Sequence, residues 1–230
     1  MSNITETTMA NAFNEKIRIS AIKGLPAFDL IYREIVCQQG IADFVGLTSA
    51  SFIRNNAFGE LSSLDCSSQV LSLLKYKSGR SIKYLRERTG ISEVTMARTL
   101  KDMISKNYIS FKNDLYYLTN TNIINRTDIW AFELKLSNWK RAIFQALQYK
   151  AFANYAVVVF PIKKEKLIKE NLESFQKLNI GVLLFDAETS ESKWLSRAKK
   201  ESPMSRWHTL FLLTKMSNQF SQENYFDNCQ

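Results

Sequence analysis

The chain of 230 residues holds one histidine, three cysteines, seven glycines and three prolines. Each shortage excludes something. His208 is alone, and Cys37, Cys66 and Cys229 are scattered without a C-x-x-C pair. A zinc site and a disulfide framework are therefore not expected. Ser-His-Asp and Cys-His catalysis are confined to a site containing His208, which sits in an apolar helical stretch, residues 207–211, and reads as structural. So few Gly and Pro leave no long flexible linker, so any two domains must be tightly joined. No apolar run reaches the roughly 18 residues of a membrane span, and the most apolar window, residues 155–160, has the length of a strand. The first residues lack a basic start and an apolar stretch, so no signal peptide is expected. There are no repeats and no low-complexity tracts. A reduced, cytoplasmic globular protein is the expectation.

What is present is apolar and basic. Hydrophobic residues make up 45% and aromatics 12%, enough to bury a core and to exclude a disordered chain. Lys and Arg number 31 against 22 Asp and Glu, a formal charge of +9. Nucleic acid is the first candidate partner for that excess.

The charge is concentrated. Residues 67–120 carry ten basic residues (Lys75, Lys77, Arg80, Lys83, Arg86, Arg88, Arg98, Lys101, Lys106, Lys112) against four acids, a net +6. Val70, Leu71, Leu73 and Leu74 predict a helix, with Gly79 expected as its stop. Ser81 caps a second helix with Ile82 and Leu85 inward, ending at Thr89-Gly90. Ser92 caps a third, with Val94, Ala97, Leu100, Met103 and Ile104 read as its inner stripe. Two strand-like runs, 108–111 and 115–118, follow around Lys112-Asn113-Asp114. Helix, short helix, Gly turn, long helix and hairpin resembles a winged helix-turn-helix domain of about fifty residues. The resemblance implies double-stranded DNA as partner. It implies Thr95, Arg98 and Thr99 as base contacts, and Lys83, Arg86, Lys101 and Lys112 as phosphate contacts. Charges that merely solvate the helix faces, or a protein contact, are the alternatives.

Residues 129–136 form a mostly apolar run of strand length containing Glu133 and Lys135. Period two puts both on one face with Ile129 and Ala131. Two charges at the end of a buried strand are costly unless paired, metal-bound or partly exposed. Ser137 or Asn138 caps a helix carrying Trp139, Ala142, Gln145, Ala146 and Tyr149, and a second apolar strand ends at Pro161. Strand, helix, strand reads as a βαβ unit in a partly parallel sheet. Upstream, residues 33–47 read as strand, Gly turn, strand, with Glu34 on the first and Asp43 in G-I-A-D-F-V on the second. Asp128 has the wrong parity, and Asp114 reads as a turn residue.

An E-x-K pair at a strand end, then Gln145-x-x-x-Tyr149 and an apolar strand, with an upstream G-x-x-D strand, resembles the PD-(D/E)xK nuclease superfamily, nearest its RecB-like branch. Motif positions carry the likeness over residues 14–60 and 121–216, and Ala42 stands where the family has the Pro before its Asp. Alone, Glu133 and Lys135 are an ordinary surface pair, Asp43 a solvated strand end, and Gln145 with Tyr149 a half-buried helix face. Together they imply an α/β fold, a restriction-endonuclease-like mixed sheet flanked by helices, with the winged module inserted. The implied domains are 14–66 with 121–216, and 67–120, with 1–13 and 217–230 as flexible tails. Residues 163–178, 180–185, 193–199 and 205–215 are expected to complete the sheet and its cover.

The resemblance further implies a Mg²⁺ or Mn²⁺ nuclease. Asp43, Glu133 and the Leu134 carbonyl are the implied metal ligands. Lys135 orients water and stabilises charge, Glu34 serves a second metal or its water, and Gln145 and Tyr149 support the site. Lys140 and Arg141 are implied to meet phosphate. A homodimer on a palindrome stays open. The rival readings are a non-catalytic DNA-binding regulator on a degenerate nuclease fold, and a subunit of a DNA-processing complex.

Overall fold

A computed structural model of the chain describes residues 5–38, 40–54, 64–119 and 127–227. It divides into two units, Met1–Ser49 with Thr127–Met204, and Ala50–Arg126 with Ser205–Gln230. Among the described residues no helix is long and apolar enough to cross a membrane.

The first unit is α/β. Its strands are β1 (Leu30–Cys37), β2 (Gly40–Leu47), β5 (Ile129–Leu134), β6 (Tyr155–Pro161), β7 (Gly181–Phe185) and β8 (Ser192–Ser196). They form one six-stranded mixed sheet in the order β1-β2-β5-β6-β7-β8 among the described residues. β1, β2 and β5 pair antiparallel, β5, β6 and β7 parallel, and β8 returns antiparallel. The central strands are apolar on both faces because helices cover both. β2 and β5 are neighbours although the second unit's chain runs between them.

Helix α1 (Glu6–Arg18) lies on one face. Met9, Phe13 and Ile17 recur every four residues and bury fully or nearly so. Phe13 is the hub: its ring centroid lies 5.5 Å from Phe44, 5.6 Å from Phe132 and 5.5 Å from Phe185. Trp130, Val157, Val159 and Leu183 complete this layer. Helix α6 (Trp139–Tyr149) joins β5 to β6 as a crossover and buries Ala142, Ala146 and Tyr149. On that side Phe175, from the short helix α8 (Leu172–Lys177), meets Phe160 at 6.0 Å and Trp139 at 6.4 Å. The single helix expected over 163–178 is instead a 3₁₀ turn (Ile162–Lys164), α7 (Glu165–Glu170) and α8.

The expectation of a frayed tail over 1–13 is corrected by α1. Thr, Asn and Glu around one narrow stripe give the segment its polar look, while Met9 and Phe13 carry its burial.

The second unit holds α2 (Ser51–Arg54), α3 (Leu64–Leu73), α4 (Ile82–Thr89), α5 (Glu93–Ser105), the hairpin β3 (Ile109–Lys112) and β4 (Leu115–Leu118), and α9 (Arg206–Asp227). Ser81 and Ser92 cap α4 and α5, each accepting from the N–H three residues on. Gly90 ends α4 at φ 68°, where a side chain would be strained. Asn113 and Asp114 turn the hairpin with φ of 50° and 56°, the primed-turn geometry that matches strand twist. Gly79 does not end α3, which stops six residues earlier at Leu73; it lets Leu115 and Tyr117 approach, since a Cβ there would come within 2.7 Å of Leu115.

Three expectations are corrected here. Residues 50–66 and 205–216 group with the middle segment and not with the sheet. α9 packs on α2 and α3, burying Leu210, Leu213 and Met216, and Arg206 Nη1 donates to the Ser72 and Leu74 carbonyls at 3.2 and 3.0 Å. An amphipathic helix does not carry its partner's address in sequence. Nor do 217–230 begin as a tail, since α9 continues to Asp227 and Ser217 is buried. Lastly, α5 buries Met96, Thr99, Leu100 and Met103, while Val94 and Ala97 face outward. At about 100° per residue, nine residues turn about 180°, so Val94 and Met103 occupy opposite sides. The expected 120/121 boundary and Cys229 lie outside the described residues.

Phe13→Ala removes the ring shared by β2, β5 and β7. Denaturant unfolding is expected to register a loss of about 3–5 kcal/mol. A loss under about 1 kcal/mol would mean the α1 face does not depend on this ring.

Candidate functional site

Register brings the expected acids together. β2 and β5 pair Phe44 with Phe132 and Val45 with Ala131. One further step sets Asp43 opposite Glu133. β1 and β2 pair Arg33 with Phe44 and Ile35 with Ala42, which sets Glu34 opposite Asp43. A regular ladder would thus set three carboxylates abreast on three adjacent strands. Like charges directly opposed on a sheet repel, and the backbone departs from regularity here. Glu34 has φ 54° and drops out of the ladder with Asp43, and its side chain turns to solvent, 68% exposed, 3.5 Å from Arg33.

Asp43 and Glu133 remain at the site. The Leu134 N–H donates to Asp43 Oδ2 at 2.7 Å. At Leu134 it is the N–H that meets Asp43, a contact that leaves the carbonyl expected as a ligand uncommitted to this carboxyl. Glu133 is 1% exposed, and its Oε1 accepts from Lys135 Nζ at 2.7 Å, with that lysine 14% exposed. Its Oε2 meets the Tyr149 hydroxyl, which also donates to the Ile41 carbonyl at 2.7 Å. A phenol has one proton, and a backbone carbonyl only accepts. The hydroxyl therefore donates to one of these two acceptors at a time.

Burial dominates the electrostatics of these groups. Burial pushes the Glu133 carboxyl above its usual range, the Asp43 charge adds to this, and Lys135 and Tyr149 oppose it. Burial likewise raises Asp43, against the Leu134 N–H and Lys135. Burial, then the Glu133 charge, pushes the Tyr149 hydroxyl far up, so it stays a donor.

Helix α6 supplies the second wall. The caps at Asn138 and the crossover geometry bring Gln145 and Tyr149, one turn apart, onto the sheet side. Gln145 Oε1 is buried with no hydrogen-bond partner among the described residues. Gly40 opens β2 at φ 134°, and a Cβ there would sit 3.3 Å from Gln148 Oε1. The Ile41 carbonyl and the Leu134 N–H escaped sequence reading because backbone groups carry no residue-type signal; only the register could reveal them.

No known family, curated protein or solved structure matches this chain.

The donor set can be tested against a metal. Among the described residues no group of three or more His, Cys, Asp or Glu side chains is placed to hold one. Zinc, which wants three or four such ligands, does not fit. Mg²⁺ binds through one or two carboxylates and keeps several waters. The buried Glu133 and the half-buried Asp43 fit that requirement.

In the second unit the outward face of α5 gathers only part of the expected DNA contacts. Arg98 and Lys101 are exposed on it, and Lys83 on α4 and Lys112 at the hairpin end are also exposed. Thr99 is 4% exposed and cannot reach a base. Thr95 is half-buried, its hydroxyl hydrogen-bonded to the capping Ser92 at 3.0 Å. Arg86 Nη1 donates to Glu93 at 2.8 Å.

Two outcomes follow. The folded carboxyls at 43 and 133 titrate above their unfolded values. Their stabilising contribution is therefore full below the unfolded range, about pH 4, and is lost as pH rises through the folded values. Glu133→Gln keeps an acceptor for Lys135 and a donor for Tyr149. In urea titrations it should be more stable than wild type at pH 8, with the gap closing near pH 4; a constant gap would contradict the raised carboxyl. At position 34, where φ is 54°, Gly should be more stable than Ala by about 1 kcal/mol. Equal stability would mean the left-handed backbone is not retained.

Proposed function

We propose that the first unit is a Mg²⁺- or Mn²⁺-dependent DNA nuclease of the PD-(D/E)xK, restriction-endonuclease-like type. On this reading the second unit is a winged helix-turn-helix that docks it on duplex DNA. The observation that carries the reading is that Asp43, one residue beyond the Phe44–Phe132 pair, accepts from the Leu134 N–H next to Glu133, with Lys135 2.7 Å from Glu133 at the same strand end. Further support comes from Tyr149, whose hydroxyl contacts Glu133 from the crossover helix. The residue types follow the resemblance in order, with Ala42 as the departure.

A divalent cation held by Asp43 and Glu133 supplies Lewis-acid stabilisation of the phosphoryl oxygens and a more acidic water. The chain's residues do the rest. Deprotonated, Asp43 and Glu133 offer hard oxygen ligands, and the Leu134 N–H fixes the rotamer of Asp43. Lys135 neutralises Glu133 in the absence of a cation. With substrate present, its ammonium is near enough to stabilise developing negative charge. Tyr149 orients Glu133 while anchored to the Ile41 carbonyl. Gln145 contributes an uncommitted buried oxygen. Arg98 and Lys101 meet phosphate from the second unit.

The second reading, a non-catalytic DNA-binding regulator, is favoured by one fact: both Glu133 oxygens are already engaged, by Lys135 and Tyr149. Supercoiled plasmid incubated with Mg²⁺ or Mn²⁺ separates the two. Wild type should nick or linearise it, chelation should abolish cleavage, and Asp43→Asn and Lys135→Ala should each slow it by about a hundredfold or more. Binding without cleavage under every divalent cation would support the regulator. Equal cleavage by Lys135→Ala would remove the assigned site.

A further inference from the structure

The outward face of α5 is not uniformly polar. Val94 is 81% exposed in the first turn, and Ala97 is exposed beside it. At about 100° per residue, Val94, Ala97, Arg98 and Lys101 fall within an arc of about 100°. This is one narrow face, apolar at its leading end and cationic along its length. Among the described residues the second unit's core does not use it, because Met96, Leu100 and Met103 lie on the other side of the helix.

An exposed valine in a first turn needs an occupant or is incidental. Val94, Ala97 and, at the trailing end, Ile104, 41% exposed, are far too little apolar surface for a stable protein interface, which buries about 800 Å² per partner. Charge also argues against an ordinary protein surface. Residues 67–120 carry ten basic residues against four acids, and Arg98, Lys101, Lys83 and Lys112 are exposed among them. A polyanion complements them. Within the major groove of a duplex, the apolar feature that a small side chain meets is the C5-methyl of thymine. Side chains near the N-terminus of a groove-bound helix are those that reach base edges. Thr95 and Thr99, the polar alternatives at this end, are withdrawn by capping and burial.

We infer that the Val94–Ala97 face reads thymine methyl groups in the major groove, with Arg98 and Lys101 holding the flanking phosphates. The inference rests on the reading of the second unit as a duplex-DNA reader and deepens it. It names what is recognised: A·T pairs, through an apolar contact and not through bidentate hydrogen bonds. Specificity of this kind is modest. One buried methyl is worth about fourfold in affinity, the equivalent of about 0.8 kcal/mol.

The test uses the full chain and two alternating duplexes, poly(dA-dT) and poly(dA-dU), which differ by the thymine methyl. Binding is read by fluorescence anisotropy of the labelled duplex without divalent cation. Wild type should bind the dT duplex at least about fourfold tighter. Val94→Ala should bring the two duplexes level by weakening only the dT complex. Alanine is the better helix former, so this variant is expected to fold. The double change Arg98→Ala with Lys101→Ala should weaken both duplexes alike and leave their ratio intact. Equal wild-type binding to the two duplexes overturns the methyl inference while the DNA reading stands. A ratio that survives Val94→Ala assigns discrimination to groove shape and also overturns it. Failure to bind either duplex overturns the DNA reading itself.

Discussion

Two carboxyl groups that ought to repel are held side by side in a place with little water. The register of β2 against β5 sets Asp43 opposite Glu133, and the sheet's coverage by helices buries the second of them to 1% exposure. Every neighbour can be understood as a response to that constraint. The Leu134 N–H turns from sheet pairing to Asp43, Lys135 folds back onto Glu133, and Tyr149 closes the third side. Even the irregular backbone at Glu34 takes the third acid of the row out to solvent. Removing one partner of such a cluster leaves a buried charge uncompensated, which costs more than the cluster contributes. The proposed nuclease reading assigns that arrangement a use, the holding of a divalent cation.

The same constraint explains why the chain can be interrupted so heavily. Asp43 and Leu134 touch at a sequence separation of 91, with most of a second unit between them. Closing a long loop costs little more than closing a shorter one. What must be preserved is the meeting of β2 and β5, and the Phe44–Phe132 pair beneath Phe13 fixes it from the opposite face. The aromatic layer under α1 and the polar cluster under α6 are thus two sides of one register. A slip of one residue would exchange them and put phenylalanines where the carboxyls are.

Much of this could be read from the sequence, and the failures have physical causes. The strands, the crossover helix with Gln145 and Tyr149, and the two serine caps are local patterns with strong periodicity or capping chemistry. Asp43 and Glu133 came from a motif order, but the reason they meet is a register that no single strand encodes. Helix α1 was hidden because only every fourth residue is apolar. Steps of three drift around the helix, so the expected stripe of α5 lies about a quarter of a turn from the one that Met96, Leu100 and Met103 mark. The observed stripe buries Thr99 and exposes Val94. Helix α9 was recognised but given to the wrong unit, since burial pattern says that a helix packs and not against what.

Calorimetric titration of Mn²⁺ into the protein, repeated in two buffers of different ionisation enthalpy at pH values stepped upward from about 4, tests the central claim most directly. Ligand carboxyls that are protonated beforehand must release protons when a cation binds. The account predicts saturable Mn²⁺ binding with a buffer-dependent heat that reports proton release, and loss of both in Asp43→Asn. Binding with no proton release, or no binding at millimolar Mn²⁺, would contradict a cation site built on Asp43 and a raised Glu133.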